Sequence, residues 1–146
     1  MKRKGYLFKS HTADVKLVAH GKTLEEAFKN AVLAMFDTSA YIMAVSKMGA
    51  KARLLTVKDK AANLEDLLWV TLQDALSVAD SNSVYGYAVK SLKISGSDGS
   101  YSVILQFFAR PQDPKYSVIY VKGVSRYELK VTKKGKECRV SAVLDV

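Results

Sequence analysis

The chain reads as an α+β fold, with two helices packed on one face of a largely antiparallel β-sheet. Three observations carry this expectation. Two stretches repeat apolar residues at helical spacing behind a capping residue. Several others alternate apolar and polar residues with a period of two, and runs rich in glycine, serine or lysine join neighbouring alternating stretches.

The order of elements is strand, strand, helix, strand, helix and then a run of strands. Val15, Leu17 and Ala19 share one face of the second strand. Helix one begins at Thr23, because Thr23-Leu24-Glu25-Glu26 is a capping box: the Thr hydroxyl accepts from the Glu26 amide while the Glu26 carboxylate reaches back. Its apolar face is Leu24, Ala27, Phe28, Ala31, Met35 and Phe36. Helix two is capped by Asn63, carries Glu65 and Asp66 in its first turn, and buries Leu64, Leu67, Leu68, Leu72, Ala75, Leu76 and Ala79. Each stripe needs a sheet to cover. Strands through Lys90-Ser91-Leu92-Lys93-Ile94 and through Tyr101, Val103, Leu105 and Phe107 form a hairpin, since Ser95-Gly96-Ser97-Asp98-Gly99-Ser100 is turn chemistry. A long strand through Ile119, Val121, Tyr127, Leu129 and Val131 is linked by Lys133-Lys134-Gly135-Lys136 to the last strand, through Cys138, Val140, Ala142 and Leu144.

The length, 146 residues, suits a single domain spanning 1–146, and the balance of 49% hydrophobic to 25% charged residues is that of a chain that folds. One cysteine, Cys138, excludes an internal disulfide, and no Cys/His spacing suggests zinc, so a reducing, cytoplasmic location is expected. The basic start, Met1-Lys2-Arg3-Lys4, leads into no apolar run long enough for a leader or a membrane span. No phosphate loop, catalytic triad or zinc motif is visible, which places a conventional enzyme last among the functional classes. Cys138 follows an apolar parity and reads as a small buried hydrophobe, and His20 belongs to no recognisable triad. The net charge of +9 is concentrated between Lys115 and Arg139, where eight basic residues face only Glu128 and Glu137. That region is either a solubilising surface or a contact for nucleic acid such as tRNA.

Strand parity directs the polar residues. Asp14 and Lys16 point away from Val15, Leu17 and Ala19; Asp145 falls on the odd face of the last strand; and Lys122 lies on the even side of the long strand, with Tyr120 and Val124. Asp14, Lys122 and Asp145 can then share the face away from the helices, together with Val18 and Val143. Two carboxylates at one spot repel unless a cation joins them, and hard divalent cations such as calcium or magnesium take oxygen ligands. Val146, with its main-chain carboxylate, adds two more oxygens. The competing readings are a turn cap for Asp14 with Thr12, the polar end of a frayed strand for Asp145, and a side chain covering sheet surface or neutralising Asp145 for Lys122. His11 polarises the site or satisfies a turn.

At these residues the chain resembles the archeases. His11-Thr12-Ala13-Asp14-Val15, Gly21-Lys22-Thr23-Leu24-Glu25-Glu26-Ala27-Phe28 and Ala34-Met35-Phe36 look like the family's N-terminal signature. The likeness continues through Leu67-Leu68, Val121-Lys122-Gly123-Val124-Ser125 and Leu144-Asp145-Val146. The resemblance implies an archease-like two-layer sandwich and a non-catalytic role as accessory factor to an RtcB-type tRNA-splicing RNA ligase, promoting guanylylation of the ligase and multiple turnover. It also implies a divalent cation, most often calcium with magnesium or manganese as substitutes, held by Asp14, Asp145 and Val146, with Lys122 matching a functional lysine; His11 stays a candidate partner or nucleotide contact from the residues alone. A chaperone-like role toward an RNA-modifying methyltransferase is the family's other proposed activity. The chain departs from the family pattern at Ser125-Arg126-Tyr127, at Arg110-Pro111 and at Leu72-Gln73-Asp74.

Overall fold

The computed structural model describes residues 2–3, 5–10 and 14–146. Strands β1 (Lys2–Arg3), β2 (Tyr6–Ser10) and β3 (Asp14–Gly21) precede helix α1 (Leu24–Ser39) and a one-turn helix α2 (Ile42–Val45). Strand β4 (Arg53–Ala61) is followed by α3 (Leu64–Ser81), the hairpin of β5 (Val84–Ser97) and β6 (Ser100–Pro111), and a 3-10 turn at Pro114–Tyr116. The chain closes with β7 (Gly123–Val124), β8 (Lys130–Lys134) and β9 (Glu137–Asp145).

Both long helices start where their caps predict. The Thr23 hydroxyl accepts from the Glu26 amide at 3.1 Å, and the Asn63 side chain accepts from the Asp66 amide at 2.8 Å. The Glu26 carboxylate reaches the amide of Lys22, one residue before the cap, at 3.1 Å. It satisfies an entering amide rather than the cap's own.

All strand pairs are antiparallel, but they form two sheets where the sequence suggested one. The larger runs β1-β2-β3-β9-β7 with β8 also on β9, and the smaller runs β4-β6-β5. Alternation reveals faces, not neighbours, so this division lay outside what parity can determine. The helices join the sheets through one core: α1 packs on β3 and β9 of the larger and β5 of the smaller, while α3 packs on all three strands of the smaller and on β7 and β8. Contact with both sheets explains why α1 buries Val32 and Ala34 beyond its expected stripe.

The long strand expected through Ile119 to Val131 is a correction. Residues 118–122 are not strand, and β7 and β8 pair separately with the same edge of β9, Val124 opposite Leu144 and Lys130 opposite Ser141. Between them the chain turns outward. The Ser125 hydroxyl accepts from the Tyr127 amide, Glu128 takes a left-handed backbone with φ 61°, and Tyr127 is left exposed. Regular parity is already lost ahead of that turn, where residues 118–122 are not strand. Val121 and Val124 are both buried in the core, and Val124, paired with Leu144, faces the helices rather than the opposite side. The remaining hairpins are as expected: Ser97 pairs with Ser100 across Asp98 and Gly99, and β8 turns into β9 at Gly135 and Lys136. Cys138 is buried.

Candidate functional site

The ladder between β3 and β9 is regular for all of β3, from Asp14 opposite Asp145 to Gly21 opposite Cys138. Leu17, Ala19, Val140, Ala142 and Leu144 bury one side of it, so its register is fixed by the core. Asp14 and Asp145 are therefore direct cross-strand partners at one end of the larger sheet. Directly opposed residues project to the same face with their Cβ atoms roughly 5 Å apart, where like charges destabilise the sheet. Among the described residues neither carboxylate has an ion-pair partner, and no third His, Cys, Asp or Glu joins them in a cluster. The pair is half-enclosed, with Asp14 partly buried and Asp145 exposed.

Gly123 of β7 lies opposite Asp145 on its other side, and the Lys122 amide donates to the Asp145 carbonyl at 2.8 Å. Lys122 thus stands beside the pair through its backbone, although the strand parity that suggested this does not hold there. Its side chain is exposed and forms no ion pair with Asp145. Val146 follows directly, packing its side chain against the core. The same face is partly covered, since Val18 and Val143 are buried, while Tyr120, expected there, lies outside the strands and lines a cleft beside Phe36 and Leu76. Lys16 bridges to Glu128 at 3.9 Å across the face. His11 and Thr12 lie outside the described residues.

The two-residue strand β7 is held from outside the sheet by helix α3. The Trp69 indole N–H donates to the Val124 carbonyl at 2.7 Å, and the Val124 amide donates to Gln73 Oε1 at 2.9 Å. Gln73 is steadied by Ser77 at 3.2 Å, and the Arg126 guanidinium lies 3.7 Å from the centre of the Trp69 ring. Trp69, Gln73 and Ser77 recur every fourth residue, along one line of the helix beside the leucine stripe. That polar line was the available sequence signal for them. Two of the departures from the family pattern also have structural duties: Arg126 covers Trp69, and Arg110 donates to the carbonyls of Val45, Ser46 and Ala50, closing the end of α2.

Other polar sites lie apart from this row. Asp59 on β4 faces Asp74 on α3; burial and the neighbouring carboxylate raise the Asp59 pKa from 3.8 to about 7. Burial raises that of Asp80 as well, against a hydrogen bond from Gln112 that lowers it. Asp80 and Gln112 line a cleft of about 270 Å³ with Phe36, Leu76, Ile119 and Tyr120. Basic residues between Lys115 and Arg139 have different local surroundings. Lys134 and Lys136 border an open groove with Lys22, Lys29, Glu26 and Glu137, whereas Lys115 lies over Tyr116 and Arg126 over Trp69. In the same groove His20 Nδ1 stands 3.0 Å from Glu137 Oε1.

The model of the Archease protein family (MTH1598/TM1083) matches residues 6–146. The chain is similar to the Protein archease of Methanosarcina barkeri, 31% identical over 98% of this chain and 97% of that protein. It is also similar to that of Aeropyrum pernix, 26% identical over 97% of each. Its fold matches the solution structure of protein 1598 from Methanobacterium thermoautotrophicum with a TM-score of 0.80 at 24% identity, covering 97% of this chain and 99% of that one. It matches the crystal structure of an archease from Thermotoga maritima, described as a possible chaperone, with a TM-score of 0.59 at 16% identity, over 100% and 98% of the two chains. No helix is long and apolar enough to cross a membrane among the described residues.

Proposed function

This chain belongs to the archease protein family, and on that premise we propose that it is a non-catalytic accessory factor that activates an RtcB-type tRNA-splicing RNA ligase by promoting the ligase's guanylylation. The observation that carries the reading is the direct opposition of Asp14 and Asp145, two carboxylates held in register by a buried ladder and without an ion-pair partner among the described residues. Such a pair costs stability in isolation and suits a hard divalent cation. The donor set is all oxygen: two side-chain carboxylates with the main-chain oxygens of Val146 beside them. Calcium fits this set, taking six to eight oxygens, and magnesium or manganese are the alternatives.

Because these residues fill only part of such a coordination sphere, the site stays open on its exposed side. A bound cation supplies positive charge that offsets phosphate oxygens. Asp14 and Asp145 hold that charge at the sheet end, and Lys122, exposed and without an ion pair among the described residues, offers a second, mobile point charge to the same phosphates. β7, fixed by Trp69 and Gln73, sets where Lys122 stands. In this role the chain enters the ligase cleft and orients phosphates, while the covalent nucleotide forms on the ligase.

The test mixes the ligase from the same source with labelled GTP and follows its covalent labelling alone, with this protein, and with its Asp145→Ala variant. Acceleration lost in the variant is the expected result; no acceleration by the native chain overturns the reading. A chaperone-like role is favoured by a separate observation, the exposed Tyr41, Met43, Val118 and Tyr120 where α2 meets the segment after the 3-10 turn. It predicts suppression of aggregation of a partner such as an RNA methyltransferase that survives Asp14→Ala.

A further inference from the structure

The smaller sheet buries one face against the helices and leaves the other open. Val57, Leu92, Val103, Leu105 and Phe107 point into the core, and the residues between them point outward. The register stacks the outward residues in rows across three strands. Lys58, Ile104 and Lys93 form one row, with Lys60 next to it on β4; Thr56, Gln106 and Ser91 form the next; Leu54 and Phe108 lie in the third. Strands β4, β5 and β6 contain a single acidic residue, Asp59, and it faces α3. The outer face is therefore basic without any compensating acid. None of Lys58, Lys60 and Lys93 has an ion pair among the described residues, and all three are exposed.

Apolar and aromatic surface adjoins these charges. Ile104 is 45% exposed between Lys58 and Lys93. Tyr87, thrown out of the ladder by a bulge in β5, stacks on Phe108 with ring centres 6.5 Å apart, and Arg110 lies over Tyr87 at 4.7 Å. Exposed lysines with neighbouring π-faces and a row of hydroxyl and amide groups are the ingredients by which a flat sheet takes unstacked bases and their backbone. The face of a three-stranded sheet is broader than the helix or two-stranded ribbon that a duplex major groove admits, and a partner protein would need to be acidic across the same rows.

We infer that the outer face of β4-β6-β5 is a binding platform for single-stranded nucleic acid, separate from the Asp14/Asp145 end of the molecule. Lys58, Lys60 and Lys93 contact phosphates, and Tyr87 with Phe108 supports a base. The site involves none of the basic residues between Lys115 and Arg139.

The experiment titrates the full chain into a fluorescein-labelled short oligouridine, followed by anisotropy at several salt concentrations. Three phosphate contacts give a log–log salt slope of about −2. The triple variant Lys58→Ala, Lys60→Ala, Lys93→Ala is expected to bind on the order of tenfold more weakly with a slope near zero. Tyr87→Leu weakens binding with the slope kept, and the triple variant Lys133→Ala, Lys134→Ala, Lys136→Ala binds as the native chain does. All substituted lysines are exposed, and circular dichroism verifies each fold. No binding at low salt, equal binding of a duplex or of polyglutamate, or loss in the hairpin variant but not the sheet variant would each overturn the inference. Guanylylation of the ligase is read in a separate assay, so failure here leaves that reading standing.

Discussion

Replacing Asp59 by Asn is expected to stabilise the protein at alkaline pH and leave it nearly unchanged in acid. Asp59 Oδ2 is shut off from solvent, and the carboxyl faces Asp74 of α3, so ionising both places two like charges together in a partly enclosed space. In the unfolded chain the group loses its proton near 3.8; in the folded protein it does so near 7. Between those values the folded state holds a proton that the unfolded state lacks. Asp59 therefore contributes stability that is complete below 3.8, declines as the pH rises and is lost above about 7. A shift of that size amounts to about 4 kcal/mol for a fully enclosed carboxyl. Asp59 is only partly enclosed, so solvent screening reduces this to about 1–2 kcal/mol. Asn keeps the shape, cannot ionise and can donate to Asp74. Thermal unfolding from pH 5 to pH 9 should then show the variant melting about 3–8 °C above the native chain at pH 8.5 and within about 2 °C of it at pH 5. Ionisation of groups common to both proteins cancels in the difference. Parallel melting curves across the whole range would refute the reasoning, because they would mean that no proton is held between Asp59 and Asp74.

Asp145→Asn relieves the repulsion with Asp14, so in a chelator it should raise stability by about 0.2–1 kcal/mol; calorimetry with added calcium should show the order reversed, the native chain gaining about 2.7 kcal/mol at a hundredfold excess over its dissociation constant and the variant little. Residues appended after Val146 should weaken calcium binding with unchanged circular dichroism, and equal affinity by titration calorimetry would remove Val146 from the donor set. Trp69→Phe deletes the bond to Val124 and weakens the stack under Arg126; it is expected to cost about 1–2 kcal/mol and to speed amide exchange in β7 before the rest of the sheet. Gly86→Ala places a Cβ 2.4 Å from the Phe36 ring, so denaturant unfolding should register a loss of about 1–3 kcal/mol.

Much of this architecture is written in local chemistry. Thr23 and Asn63 set the starts of both long helices because an N-cap depends on only a few neighbouring residues. Asp98-Gly99 and Gly135 mark hairpins for the same reason. The face shared by Asp14 and Asp145 could be read from strand period alone, and the register then placed them opposite each other. What escaped is what depends on distant partners. Val121 to Val131 alternates well enough for one strand, yet the Ser125 turn and the left-handed Glu128 split it, and only β9 determines where pairing resumes. The division into two sheets is likewise a matter of which strands meet. The basic outer face of β4-β6-β5 was visible as Lys58 and Lys60 flanking Asp59, but its significance required the register that lines them up with Ile104 and Lys93.

Strand β9, late in the sequence, occupies the interior of the larger sheet, with β3 on one side and both β7 and β8 on the other. Among the described residues β7 and β8 pair with no other strand. β8 and β9 can pair early across their short turn, but docking β9 on β3 must close a loop spanning nearly the whole chain before that ladder's hydrogen bonds form. Asp14 and Asp145 come together in that same event. No partly ordered form with β9 undocked can present the carboxylate pair, so whatever recognises the pair also registers that the central strand is in place.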